Sequence, residues 1–496
     1  MADEQQRDSK VKFNLVSEEE ARRRRLEALR EKGINPYPNS VERTHTIAEV
    51  LQHFDAWRGE EGDFILTGRI RLMRDMGRVT FAQIEDGTGR IQIFFQVNDL
   101  GKETYQTLKL LDIGDFVQVR GFLFVTTRGE RTLHVREFRI LAKGLRPLPE
   151  KYHGLEDIEL RQRKRYLDLI ANGDEAKQVF IIRSRTITAM RRYLDEHGFI
   201  EVETPILQPR YGGGFAEPFV THSRELDADV YLRIADELYL KRLIVGGLEK
   251  VYELSKDFRN ESISYKHSPE FTQVEWYEAY ADYRDTMERC ETLVEHAALA
   301  TLGTTKTTFR GQDIDLAKPW ARVKFVDALT EKGVWSRDEN ALRRLFDVQN
   351  VDHKQDKTWS QLVDHAYSHF VEPTLVQPTI VYDWPIELSP FARTTDDDDS
   401  IVERFECVVG GMEFANAFSE INDSLEQSVR FGFQAVQRVV GDTEAEPGDP
   451  DYVEAMSYGM APNSGIGIGI DRLAMVLLGR DSIRDVILFP LLREKD

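Results

Sequence analysis

The chain has 496 residues, 41% of them hydrophobic and 31% charged, a composition that excludes disordered and membrane-spanning classes and a length that calls for two or three domains. Its formal charge of −20 excludes a globally basic coat, so any polyanion has to be met by local basic patches. No apolar run reaches the roughly 18–20 residues of a spanning helix, and the polar opening Met1 to Lys10 lacks the apolar segment of a secretory signal, so a cytosolic protein is expected.

In chain order, the first feature is basic. Arg22, Arg23, Arg24, Arg25, Arg30 and Lys32 crowd one short segment, which on charge alone reads as a solvated helical face. From Asp63 to Leu141 the sequence breaks into five short strands, DFILTGRI, RVTFAQIED, RIQIFFQV, DFVQVRGFLFV and RTLHVREFRI, the count of an OB barrel. Glu85-Asp86-Gly87-Thr88-Gly89-Arg90 predicts a hairpin in which glycine supplies the positive φ. Within RIQIFFQV, Ile91, Ile93, Phe95 and Val97 share one face and Gln92, Phe94 and Gln96 the other. An aromatic among amides can stack on single-stranded bases, although most such rings complete a core.

Gly144 to Glu150, with Pro147 and Pro149, reads as a stiff linker. A helix is predicted from about Asp174 to Glu196, ended by Gly198, and a strand over Phe199 to Glu203. The stretch 302–378 has helix-like pieces without a chemical motif and reads as an insertion. The acidic runs Asp396 to Asp399 and Asp442 to Asp451 read as solvated surface. Cys290 and Cys407 are too few for a disulfide framework or a zinc site and are expected to be reduced core thiols.

Three segments carry chemistry. If VYELSKDFRNE (251–261) and FTQVEWYEAY (271–280) are paired strands, alternation puts Glu253, Ser255, Asp257, Arg259 and Glu261 on one face, with Phe271, Gln273, Glu275 and Tyr277 on one face of the second. Such alternation more often marks a solvated hairpin. Here it combines an arginine fork for phosphate, acceptor carboxylates and a ring able to stack on a base. In GIGIGIDRLAMVLLG (465–479), Gly465, Gly467 and Gly469 leave one face bare for close approach, and Arg472 follows where that face ends. This is neither a Walker nor a Rossmann loop. In the third, Glu406, Glu413 and Glu420 lie in or beside GGMEFANAFSEIND, where buried carboxylates require a metal or a cationic partner. Glu406, Asn416 and Glu420 are even-numbered and Glu413 odd, so either a bulge intervenes or the groups serve different faces.

In this order the segments resemble the three motifs of class II aminoacyl-tRNA synthetases, and in detail those of the bacterial lysyl type: GFIEVETPIL resembles motif 1, FRNE with HSPEFTQVEWYEAY motif 2, and GIGIGIDR motif 3. The resemblance implies an α+β chain with an N-terminal helical extension (1–62), an OB-fold anticodon-binding domain (63–145) and a class II catalytic domain (146–496), built on an antiparallel sheet flanked by helices. It implies that Arg259 holds the α-phosphate and the amino-acid carboxylate, that Glu261 and Phe271 meet adenine, and that His267 lies near the nucleotide. Arg472 would take the distal phosphates or stack on adenine, and Glu406 and Glu413 would coordinate Mg²⁺. Gly213 and Glu275 would meet the lysine α-amino group and Asn416 its carboxylate, while Glu237, Glu420 and Tyr277 receive the ε-ammonium. A compact cation leaves water at high cost unless carboxylates receive it, so two glutamates favour lysine over aspartate or asparagine.

On the barrel the resemblance assigns Phe81 to stacking on an anticodon base, Gln92 and Glu130 to base edges, and Arg74 to phosphate or base. The Arg22 to Arg25 helix becomes a grip on tRNA, and Pro205 lies at a homodimer interface. The partners implied are ATP, L-lysine and tRNA(Lys), with no membrane. Three positions depart from the family's usual pattern: Glu217 stands where a basic residue is common, Asp236 where proline or an apolar residue is frequent, and Ser268 where asparagine is frequent. The negative charge of Glu217 is expected to weaken a nearby phosphate or acceptor-end contact.

Overall fold

The computed structural model describes residues 2–59, 62–149, 155–214, 216–439 and 447–494, with side chains described throughout except at 2–16 and 437–439. Glu150, the end of the expected linker, and residues 442–446 of the expected acidic run lie outside them. The chain divides into two compact units, Met1–Glu156 and Asp157–Asp496.

In the first unit, strands Phe64–Asp75, Val79–Glu85, Arg90–Gln96, Arg131–Ala142 and Phe116–Val125 are hydrogen-bonded in that order into a closed barrel. Alternation decides what fills it: Ile91, Ile93 and Phe95 are at most 2% exposed, whereas Gln92, Phe94 and Gln96 sit on the outer face. Closure leaves no unpaired edge, which is how so short a set of strands becomes stable. The hairpin at 85–90 forms, but neither Gly87 nor Gly89 has positive φ. Instead the Asp86 carboxylate accepts hydrogen bonds from the backbone N–H of Thr88 (2.7 Å) and Gly89 (3.0 Å), so an aspartate side chain makes the turn.

The arginine run also differs from expectation. Arg22 in the helix Ala2–Glu31 is only 5% exposed and donates to the carbonyls of Ile113 and Gly144, while Arg25 pairs with Asp112 at 2.9 Å. These two pin the helix against the barrel. Arg23 and Arg24 face solvent, each beside a glutamate one turn earlier, Glu19 and Glu20.

The second unit is built on an eight-stranded sheet in the order Ala321–Lys324, Thr379–Pro385, Ile401–Val409, Met412–Ser419, Asn463–Gly469, Glu270–Ala279, Lys250–Phe258, Ile200–Glu201. The expected antiparallel sheet is mixed: the pair at each edge is parallel and the rest antiparallel. Tyr252, Val274, Trp276, Ile466 and Ile468 turn one face toward helices Gly173–Glu196, Tyr283–Leu302 and Ile470–Leu478, joining Met190, Leu194, Leu293 and Leu473 in the main core. Gly198, with φ +81°, follows the first of these helices as expected. Cys290 and Cys407 lie in this core as free thiols.

Residues 302–378 do not hang free of this frame. Phe309, Ile314, Leu316 and Trp320 enter the main core, and Ala321–Lys324 adds the parallel edge strand. Helices Phe325–Glu331, Glu339–Gln349 and Trp359–Ala366 build a second core with Trp384. Of the acidic runs, Asp396 to Asp399 is exposed. Asp449 is not solvated surface: it caps helix Pro450–Met456 and pairs with Arg242 at 2.6 Å.

Candidate active site

The face of the sheet opposite the main core is polar, yet it is not solvated. Glu253, Ser255 and Asp257 are at most 5% exposed and Gln273 and Glu275 at most 8%. The hairpin register sets Glu253 opposite Glu275, Ser255 opposite Gln273 and Asp257 opposite Phe271, so the polar residues of both strands share one side. Arg233 pays part of the desolvation cost by bridging Glu253 at 2.7 Å and Asp257 at 3.1 Å. Glu253 also accepts from the backbone N–H of Thr204 at 3.0 Å, tying the GFIEVETP segment to the hairpin.

Over this face opens a cavity of about 470 Å³. The glycine strand forms part of its floor, and Gly465 has a steric reason to be there: a Cβ would stand 2.2 Å from the Tyr277 ring. Gly465→Ala is therefore expected to displace Tyr277 and to destabilise the protein by about 1–3 kcal/mol, the cost of overpacking. Thermal unfolding checks the second effect and lysine-dependent pyrophosphate exchange the first. The parity problem resolves as a bulge: Glu406 pairs with Asn416 and Cys407 with Ala415, but Val408 pairs with Glu413. The extra residue lets odd Glu413 and even Asn416 line the same cavity.

At one end of the cavity are Arg259, Glu261, His267, Phe271, Glu413 and Arg472. The Arg259 guanidinium lies 5.2 Å from the Phe271 ring centroid and donates through Nε to the carbonyl of Ile234 at 3.3 Å, leaving most of its fork for a ligand. Arg472 pairs with the Glu413 carboxylate at 2.7 Å. Burial would raise Glu413, but Arg472 and Lys266 outweigh it and hold the carboxyl below its ordinary range. His267 donates to or accepts from Ser264 at 2.8 Å. Burial, with Arg472 and Lys266 nearby, pushes its imidazole down to about 4, so it is neutral at physiological pH.

At the other end are Gly213, Glu237, Glu275, Tyr277 and Asn416. Tyr277 donates to Glu275 Oε1 at 2.5 Å and Gln273 to Glu275 Oε2 at 3.0 Å. Burial raises Glu275 to about 7. Gln273 also donates to Asp236 at 3.1 Å, whose carboxyl burial and Glu275 push well above its usual range. Asn416 accepts from Arg404 at 3.0 Å. Of the thirteen residues expected here, Glu406 and Glu420 do not line the cavity: Glu406 is held by Arg404 at 2.7 Å, and Glu420 is sealed in against Lys241.

Residues 157–493 match the family model described as tRNA synthetases class II (D, K and N), and residues 64–141 match that of an OB-fold nucleic acid binding domain. The lysine–tRNA ligase of Pelotomaculum thermopropionicum is 48% identical, over 96% of this chain and 94% of its own length. That of Shouchella clausii is 49% identical, over 96% of each, and that of Bacillus subtilis 45% identical, over 96% of this chain and 97% of its own length. The chain belongs to the lysine–tRNA ligases.

In this ligase the four barrel residues come to one outer surface. Arg74 pairs in register with Phe81, whose ring is 4.9 Å from that of Phe94. Gln92 donates to Thr132 Oγ at 2.9 Å, and that hydroxyl donates to the carbonyl of Glu130. The aromatic platform is wider than expected, because the parallel pairing of Arg90–Gln96 with Arg131–Ala142 brings His134 within 5.0 Å of Phe94, and the antiparallel pairing of Arg131–Ala142 with Phe116–Val125 brings it within 4.7 Å of Phe122.

Other ligase residues had no motif to announce them. Glu372 and Asp364 come from the 302–378 stretch: Glu372 pairs with Lys266 at 3.2 Å and accepts from the Glu413 backbone N–H at 2.9 Å, and Asp364 lines the cavity. Among the described residues no group of three or more metal-ligating side chains is assembled. Glu406 and Glu413 do fit a hard cation that is also held by a ligand's phosphates: burial and the charge of Glu413 push Glu406 well above its ordinary range, a repulsion that a divalent ion relieves. Glu217 is exposed and outside the cavity lining; its backbone carbonyl accepts from Asn260 N–H at 2.8 Å. Among the described residues no helix is long and apolar enough to cross a membrane.

Proposed function

We propose that the protein activates L-lysine with ATP to lysyl-adenylate and transfers the lysyl group to the 3′-terminal adenosine of tRNA(Lys). The observation that carries this reading is that one antiparallel hairpin lines one cavity with an arginine fork and a ring at its Arg259 end and buried acceptors at its Glu275 end. The lysine carboxylate is already a nucleophile at neutral pH and needs no general base. Rate enhancement then comes from alignment and charge neutralisation. Arg259 holds the α-phosphate and the amino-acid carboxylate, Phe271 and Glu261 the adenine, and Arg472 the distal phosphates. His267 sits by the nucleotide as a neutral ring. Glu406 and Glu413 would hold Mg²⁺, which supplies charge neutralisation on the phosphates when bound. Glu275 and Gly213 receive the α-amino group, Asn416 the carboxylate, and Glu237 and Tyr277 the ε-ammonium, with Glu420 behind them on Lys241 rather than in the cavity.

The reading assigns Arg74, Phe81, Gln92 and Glu130 to the anticodon and divides the chain at about residues 62 and 145, with 302–378 as an insertion in the catalytic domain. It places the enzyme in the cytosol as a homodimer; the exposed apolar side chains Ile200, Ile206, Leu207 and Val220 around Pro205 suit such an interface. The rival is specificity for aspartate or asparagine, which the matched class II model also covers. Buried Glu237 in the cavity favours a cationic side chain. Pyrophosphate exchange across a panel of amino acids decides between them: exchange with lysine and not with aspartate or asparagine is expected, and the reverse overturns the reading.

A further inference from the structure

Lys241 is the most deeply buried cation beside the cavity. It lies one turn after Glu237 on the helix Glu237–Val245, its side chain 1% exposed. Its ammonium donates to Glu237 Oε1 at 2.6 Å and touches Glu420 Oε2. Three rings enclose it, with centroids at 4.9 Å (Phe391), 5.1 Å (Phe418) and 5.8 Å (Tyr277), the surroundings an alkylammonium favours. The other charged or titratable groups facing this cluster are the Tyr277 hydroxyl with the Glu275 carboxyl that accepts from it at 2.5 Å, the Tyr452 hydroxyl and, beyond Tyr452, the Arg242 guanidinium 5.6 Å from its ring centroid. Glu420 Oε1 and the Tyr452 hydroxyl are buried without a hydrogen-bond partner among the described residues.

Two carboxyls and one resident ammonium leave one negative charge in excess. In the empty pocket burial makes that excess costly, and both carboxyls are pushed upward by burial, with Glu237 adding to the rise of Glu420. Only Glu237 reaches the cavity; Glu420 communicates with it through Lys241.

We propose that Lys241 is a positioning residue that sets lysine specificity by charge count: a resident copy of the substrate's terminal ammonium, it uses up one of two carboxylates and leaves room for one further cation. This rests on the lysine reading of the cavity. The ε-ammonium pairs this excess charge on binding, and a side chain without a cation leaves it unpaired.

The test is a charge-balanced pair of substitutions followed by pyrophosphate exchange. Wild-type exchange with lysine is measured first; its absence would remove the functional reading itself, independently of Lys241. Glu420→Gln brings the cluster to neutrality, and lysine KM is expected to rise at least about tenfold with ATP KM within about threefold, although Glu420 does not line the cavity. Adding Lys241→Met restores one excess negative charge on Glu237, and lysine KM is expected to return to within about threefold of wild type. K241Q/E420Q, which keeps a polar end in the same space, serves if the methionine variant does not fold. A double variant as impaired as E420Q or worse overturns the proposal, because a merely structural lysine cannot be deleted to advantage. So does an E420Q enzyme with unchanged lysine KM.

Discussion

Arg259→Ala is expected to lower lysine-dependent pyrophosphate exchange by about a thousandfold, the scale on which removal of one preorganised charge-stabilising group acts. Its fold is expected to survive. Among the described residues Arg259 contributes one 3.3 Å side-chain hydrogen bond to the Ile234 carbonyl and a ring contact with Phe271, together worth about 1 kcal/mol. Thermal unfolding within a few degrees of wild type, with exchange lost, is the expected combination. Arg259→Lys separates charge from geometry: a point charge cannot hold phosphate and carboxylate bidentately, so exchange stays more than about tenfold down. Near-normal exchange in R259A would remove Arg259 from the reaction.

The second large effect is pH-dependent. Glu275 must be ionised to receive an ammonium group, and burial raises its carboxyl to about 7. For lysine, kcat/KM is therefore expected to rise about tenfold per pH unit below that value and to level off above it. Glu275→Gln removes this limb and lowers kcat/KM about a hundredfold, the scale of a lost charged hydrogen bond in a buried site. The same shift has a stability signature of defined sign. A carboxyl whose folded pKa lies above its unfolded value of 4.5 binds its proton more tightly when folded. Its unfavourable contribution is thus absent below 4.5, grows as pH rises toward 7 and is complete above it. Relative to wild type, E275Q should gain stability between pH 5 and pH 8. A kcat/KM profile for lysine that is flat from pH 5.5 to 8 would show that Glu275 does not meet the substrate in its charged form.

Period-two alternation was enough to pair the two strands of the hairpin, because the opposite faces of VYELSKDF and FTQVEWYEA have opposite polarity and any one-residue slip would bury the wrong set. The same rule found the barrel interior. It could not tell whether the polar face meets water. That depends on elements remote in sequence, the helix bearing Glu237 and the strands bearing Glu413 and Gly465, being laid against it. Residue parity exposed the conflict between Glu413 and Asn416 but left two explanations open, and only the paired register selected the bulge.

By itself, then, the sequence determined the elements, their polar and apolar faces, and through the motif residues Arg259, Phe271, Glu275 and Arg472 the family to which the chain belongs. These are local properties, written in spacing and side-chain type. Tertiary structure alone decided the charge partners. Arg22 reads as a surface cation and is buried against backbone carbonyls; Glu420 reads as a ligand for a substrate cation and is held by Lys241; Glu372 has no motif and fixes both Lys266 and Glu413. A buried charge is tolerated only where another group neutralises it, and which group that is depends on segments far apart in the chain.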